Sequence, residues 1–129
     1  MPETLQAVVP CRIDFLDGVS NLVQTLCAGL DETEMQQIVT ALGEAFSNVV
    51  RHSGLGPRDP VEVRARRWPE QLELQLLDGG ASYQQALARA AGATESPELS
   101  DGGMGLYIIH QFMDRVTLHR DDRNRLSMV

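Results

Sequence analysis

Two alternating runs in the middle of the chain restrict its folding more than any other feature. "VEVRARRW" (61–68) and "QLELQLLD" (71–78) are joined by the short turn "PEQ". Successive side chains of a strand point to opposite faces, so Val61, Val63 and Ala65 share one face while Glu62, Arg64 and Arg66 occupy the other. Two such runs around a tight turn are a β-hairpin. A hairpin with one apolar face is marginal in water, so other elements must cover that face.

The flanking sequence supplies the cover. Between Asp14 and Leu30, apolar residues recur with helical period at Phe15, Leu16, Val19, Leu22, Val23 and Leu26. A second helix begins at "DETE", where Asp31 is placed to cap and Glu34, three residues on, to complete a capping box. Its stripe of Ile38, Leu42, Ala45, Phe46 and Val49 faces a core, and it should run to about Ser53, where "SGLGPRDP" stops it. Thr4–Pro10 reads as a short strand ahead of both. After Asp78 the chain turns rich in Gly, Ala and Ser, with a weak helix from about Tyr83 to Ala91 and an acidic, proline-containing loop. "MGLYIIHQFMD" then reads as a helix with Leu106, Ile109, Phe112 and Met113 on its buried side. "RVTLHR" and "NRLSMV" form strands around "DDRN". This order predicts an α+β, two-layer α/β sandwich: one mixed, mostly antiparallel sheet with helices on a single face. At 129 residues, 43% hydrophobic, residues 1–129 are expected to form one domain.

Charge and composition narrow the function. The formal net charge is −7, which repels phosphate backbones and argues against a nucleic-acid partner. "MPETLQAVVP" lacks a basic segment followed by an apolar one, and no stretch approaches the roughly 18 apolar residues of a membrane span. The expectation is a cytoplasmic protein without a membrane partner. Cys11 and Cys27 have neither CxxC spacing nor a histidine pair nearby, so they read as buried free thiols. All 11 basic residues are arginine. Without lysine there is no P-loop and no protein-kinase strand lysine, so any nucleotide chemistry must take another form.

Three places exceed what a core needs. In "ALGEAFSNVVRHSG", Glu44 and Asn48 lie four residues apart, about 40° around the helix axis, and so share a face beside the apolar stripe. A carboxylate there can orient or deprotonate a hydroxyl, and an amide oxygen suits a magnesium ion that keeps most of its waters. A solvated helix edge fits the same residues. In "LQLLDGG", Asp78 ends an apolar strand; a carboxylate so placed can accept from an exocyclic amino group, and an ordinary Asp-Gly turn fits equally. In "SDGGMGLYIIH", Gly102, Gly103 and Gly105 precede an apolar helix whose free amides can cradle phosphates; a plain loop is the alternative.

Together and in this order, "EAFSNVVRHSG", "DGG" after a strand and "GGMGLYIIHQFMDRV" resemble the N, G1 and G2 boxes of the GHKL (histidine kinase-like) ATPase superfamily, whose ATP-binding fold is of the Bergerat type. "VPCRIDFLDGVSNLV" and "GLYIIHQFMDRVTLHRDDRNRLSMV" further resemble anti-sigma factor serine/threonine kinases of the RsbW and SpoIIAB type. The likeness covers nearly the whole chain, and the segment from the last glycines to the final hairpin is its most specific part.

The resemblance implies ATP and Mg2+ as cofactors, with Glu44 as the catalytic general base and Asn48 as a magnesium ligand. It implies that Asp78 accepts from the adenine amino group and that Gly80 gives the ring room. Gly103, Met104, Gly105 and Leu106 would lie along the phosphates, and residues of about 81–101 would form an ATP lid. Gly43 would allow a close approach, with a merely tolerated helix glycine as the alternative. His52 is implied to be a helix-end residue with a structural or lid-contacting role, and a phosphoacceptor histidine on its own helical module has no room here. Arg51 is implied to touch phosphates or lid, with a solvated arginine as the equal alternative. Tyr83 is followed by Gln84 where the G1 box often continues to an acidic residue. The implied function is a serine/threonine protein kinase and anti-sigma factor that binds a sigma factor or comparable target and phosphorylates a STAS-domain antagonist. The resemblance also admits a homodimer. A nucleotide-gated binding module with little or no kinase activity is the alternative from another class, and a histidine kinase catalytic fragment fits less well.

Overall fold

In a computed structural model of the chain, the residues described are 2–80, 109, 111–120 and 124–129. β1 (Glu3–Pro10) leads through a single 3-10 turn into α1 (Leu16–Leu26), which is followed by α2 (Glu32–His52). β2 (Pro60–Trp68) and β3 (Gln71–Asp78) form the expected hairpin, and β4 (Val116–Arg120) and β5 (Asn124–Met128) form the last one. The five strands make one sheet in the order β1-β2-β3-β5-β4, with all four ladders antiparallel. The α+β sandwich expected from the sequence is the fold observed.

The hairpin face divides as its alternation requires. Val61, Val63 and Ala65 are buried with Leu74 and Leu76. They meet Val19 and Val23 of α1 and Leu42, Ala45, Phe46 and Val49 of α2 in a single core. Fully burying a side chain of this size stabilises by about 1.5–3 kcal/mol, so this layer contact is the main reason the hairpin persists. The opposite face is polar: Gln6 donates to Glu62 at 2.8 Å, Arg64 pairs with Glu62, and Arg66 pairs with Glu73 at 2.5 Å.

Both helices end as local chemistry dictates. The Asp31 carboxylate accepts from the Glu34 amide at 2.7 Å and so caps α2. Gly54, one residue past the Ser53 cap, has φ +77, the left-handed conformation that closes a helix and favours glycine. At the end of α1, the Arg67 guanidinium donates from Nη1 to the carbonyls of Leu26 and Ala28, at 2.9 and 2.7 Å. A strand arginine thus satisfies carbonyls that a helix end leaves without partners.

The structure departs from the sequence expectations at two apolar positions. Phe112, expected on the buried side of its helix, is 37% exposed, whereas Ile109 and Met113 are buried. The helical period placed Phe112 beside them, but only part of that stripe finds core to cover. Leu22 is exposed for the same reason, at the margin of the α1 stripe. Among the described residues Gly43 meets no close neighbour: a Cβ there would lie 3.7 Å from Leu16 Cδ2, an ordinary contact, as a merely tolerated glycine requires. Gly43→Ala should therefore stabilise the protein by about 0.5–1 kcal/mol, the usual gain of alanine over glycine inside a helix. A urea-unfolding midpoint that falls instead would reveal an approach needing the glycine. Leu106 and the weak helix of Tyr83–Ala91 lie outside the described residues. Among the described residues no helix is long and apolar enough to cross a membrane.

Candidate nucleotide-binding site

α2 positions the first pair of candidate residues. Its stripe of Leu42, Ala45, Phe46 and Val49 packs into the core, which fixes the rotation of the helix about its axis. Glu44 is left half-buried, and Asn48 is carried inward until it is 1% exposed. That burial excludes a solvated helix edge at Asn48. Its Oδ1 accepts from Arg51 Nη2 at 3.3 Å, while its buried Nδ2 has no hydrogen-bond partner among the described residues. A buried polar atom left without a partner costs about 1–3 kcal/mol, and such a cost persists where a ligand supplies the missing bond.

β3 positions the second pair. Asp78 is its last residue, paired with Val61 on one side and Asn124 on the other, and it is 1% exposed. Its Oδ1 accepts from the Gly80 amide at 2.9 Å, so the carboxylate is held by the turn that follows it. Gly80 is closed to any side chain. A Cβ there would come within 2.9 Å of Ser53 Cβ, 3.0 Å of Asp78 Oδ1, and closer still to the Ser53 carbonyl oxygen. What first demands glycine at this position is the end of α2 pressing on it.

The structure thus joins Asp78 and Gly80 to the C-terminal end of α2, just past Asn48. Gly103, Met104, Gly105 and Leu106, with the implied lid of about 81–101, lie outside the described residues. Ser53, absent from the candidate residues, is fully buried at this junction. A serine that follows a helix carries no motif signal, so only its three-dimensional neighbours mark it. A cleft of about 440 Å³, lined by residues including Trp68, Gln71 and Phe112, lies at the far end of the hairpin from Asp78.

Two titrating groups border the site. Burial pushes the Cys11 thiol above its usual range; a hydrogen bond from Ser53 opposes this, and the charges of Asp78 and Asp59 add to it. Cys11 and Cys27 are both free and buried, as their spacing suggested. His52, the last residue of α2, has its pKa lowered, first by burial and then by the Arg51 charge. Its Nε2 is buried without a partner among the described residues. Because the folded state resists protonation that the unfolded chain accepts, His52 favours folding fully above the ordinary value of 6.5 and loses that contribution as pH falls below it. Stability measured across pH 7 to 5 should decline less in His52→Gln than in the parent.

The donor set fits the ligands that the resemblance implies. Mg2+ dehydrates reluctantly and is commonly bound through one or two protein oxygens plus substrate phosphates, so a single amide oxygen at Asn48 suffices. Among the described residues no group of three or more His, Cys, Asp or Glu forms a self-contained metal cage. The Asn48 Nδ2, without a partner among the described residues, matches a site completed by a polar ligand.

Fold and site together define a two-layer sandwich able to take a polar ligand where helix end and strand end meet. The profile of the histidine kinase-like ATPase domain matches residues 13–129, and the chain belongs to that family of ATP-binding domains. Among curated proteins it is 27% identical over 134 residues to the serine-protein kinase RsbW of Halalkalibacterium halodurans, covering 98% of this chain and 82% of that one. It is 28% identical over 106 residues to the same-named kinase of Bacillus licheniformis, covering 78% and 66%. Against that of Listeria innocua it is 27% identical over 101 residues, covering 74% and 64%. Two solved structures share the fold. The RsbU and RsbW domains of Rv1364c from Mycobacterium tuberculosis align with a TM-score of 0.69 at 15% identity, over 98% of this chain and 31% of that one. The SiaB–SiaC complex from Pseudomonas aeruginosa aligns with a TM-score of 0.67 at 14% identity, over 96% and 87%.

Proposed function

We propose that the chain is an ATP-dependent serine/threonine protein kinase and anti-sigma factor in a partner-switching pathway. It binds a sigma factor or comparable regulatory target and phosphorylates a STAS-domain antagonist. The observation that carries this reading is a buried amide, Asn48, whose Nδ2 has no partner among the described residues, on a helix whose end meets the turn after the buried strand-end carboxylate Asp78, in a chain whose named relatives are serine-protein kinases.

In this reading Asp78 would accept from the adenine amino group, and Asn48 would hold a magnesium ion, which would supply positive charge to neutralise the phosphates. Gly103, Met104, Gly105 and Leu106 would bind those phosphates, as the resemblance implies. Glu44, one helical turn before Asn48, takes the proton from the substrate hydroxyl. The hydroxyl oxygen forms its bond to the γ-phosphorus as the bond from that phosphorus to the β,γ-bridging oxygen breaks, and ADP leaves. Catalysis of this kind rests on positioning and electrostatics, which a chain without lysine can supply. The new phosphate adds about 1.5 to 2 negative charges to the antagonist, enough to disrupt a fitted interface and change which partner is held.

The test is incubation with ATP, Mg2+ and a STAS-domain protein, followed by phosphosite mapping. Phosphate on serine or threonine of the partner supports the kinase. Nucleotide-dependent binding of the partner with no transfer would replace it by the nucleotide-gated binding module.

A further inference from the structure

Asn48 and Arg51 stand three residues apart near the end of α2, so their side chains are neighbours on one face of the helix. Asn48 is 1% exposed, whereas Arg51 is an exposed residue of the last turn. The arginine reaches back from the surface, and its Nη2 donates to Asn48 Oδ1 at 3.3 Å. A guanidinium carries donors and no acceptor, so the atom it faces must be the amide oxygen and not Nδ2. Arg51 thereby fixes which way round the buried amide lies. It also places a positive charge at the same oxygen that would ligate the metal.

We propose that Arg51 competes with magnesium for Asn48: its guanidinium holds Oδ1 in the orientation a metal ligand needs and must give that oxygen up when a magnesium nucleotide binds. This rests on the reading of Asn48 as the metal ligand. An amide oxygen has two lone pairs, but a divalent cation bound to the same atom would lie close to the guanidinium. Two such positive charges repel far more strongly beside a buried group than in bulk water. One of them must leave. The bond from Arg51 is the one built to break, since it is longer than the common N–H···O distance of about 2.9–3.0 Å. It is also made from the exposed side of α2, so releasing it disturbs none of the core stripe of Leu42, Ala45, Phe46 and Val49.

The experiment is calorimetric titration of ATP, with and without Mg2+, into the whole chain and the variants Arg51→Met, Arg51→Gln and Asn48→Ala. Thermal midpoints are recorded for each. Arg51→Met keeps an unbranched side chain without charge or donor, and in Mg2+ it should bind ATP about fivefold to tenfold more tightly than the parent, the size of one hydrogen bond's contribution. Its affinity for ATP without Mg2+ should not rise, so the enhancement by Mg2+ grows by at least the same factor. Removing a positive charge near phosphates would ordinarily weaken binding, which makes the sign of the change diagnostic. Arg51→Gln, neutral but still a donor, should move in the same direction by a smaller factor, and it decides by the same signs if Arg51→Met does not fold. Affinity in Mg2+ that is unchanged or lower, or a gain equal with and without Mg2+, would make Arg51 a phosphate contact or a surface residue and overturn the proposal. Asn48→Ala tells that failure from failure of the underlying reading. If Asn48→Ala loses the Mg2+ enhancement while the Arg51 variants gain nothing, only the competition is rejected; an undiminished enhancement in Asn48→Ala removes the metal ligand and overturns both.

Discussion

Glu44→Ala should bind ATP as tightly as the parent chain and transfer its phosphate about 10²–10⁴-fold more slowly, the usual contribution of a positioned general base. The separation follows from where Glu44 sits. It lies one turn before Asn48 on the same helix and is half-buried, whereas Asn48 and Asp78, the proposed nucleotide contacts, are each 1% exposed. Removing the carboxylate leaves both contacts and the α2 core stripe intact. Single-turnover transfer to a STAS-domain partner, measured beside ATP affinity, checks this. Equal rates in parent and variant would mean that the hydroxyl loses its proton elsewhere, and would shift the assignment away from Glu44.

Asn48→Ala should do the reverse of an ordinary core truncation. The side chain is buried and its Nδ2 has no partner among the described residues, so deleting it removes an unsatisfied donor and offsets the small cavity left behind. Stability should change little. Binding of ATP in the presence of Mg2+ should nonetheless fall by roughly 100-fold, the upper end of what losing a metal's supporting contacts costs. Without Mg2+ the two proteins should differ far less. Thermal unfolding and nucleotide titration on the same samples decide the matter, and a variant that unfolds early while keeping its Mg2+ dependence would make Asn48 a core residue only.

Much of this architecture was written in periodicity and punctuation. The alternation of Val61, Val63 and Ala65 foretold the buried face of the hairpin, and Asp31 with Glu34 marked the start of α2, because strand period and capping are local properties. Neighbour relations were not legible. Nothing local says that β3 pairs with β5 instead of β4, that Phe112 finds no core, or that Ser53 leans on Gly80. The candidate site divided along the same line: Glu44, Asn48 and Asp78 stood out as polar groups where an apolar pattern had no need of them. Ser53 carries no motif signal, since its contact with Gly80 exists only in three dimensions. Gly80 was read as making room for a ring, and the structure shows the end of α2 already in contact there.

The two ladders on Asp78 have a consequence for how the protein matures. Its pairing with Val61 closes a short loop, while its pairing with Asn124 joins stretches far apart along the chain. Contacts that close long loops tend to form late, after local helices and hairpins. A nascent chain can therefore hold α2 and the β2–β3 hairpin before β5 arrives, with the carboxylate still on a bare sheet edge. If Asp78 contacts the base as proposed, ATP would bind the sheet with β5 in place and would oppose its local opening.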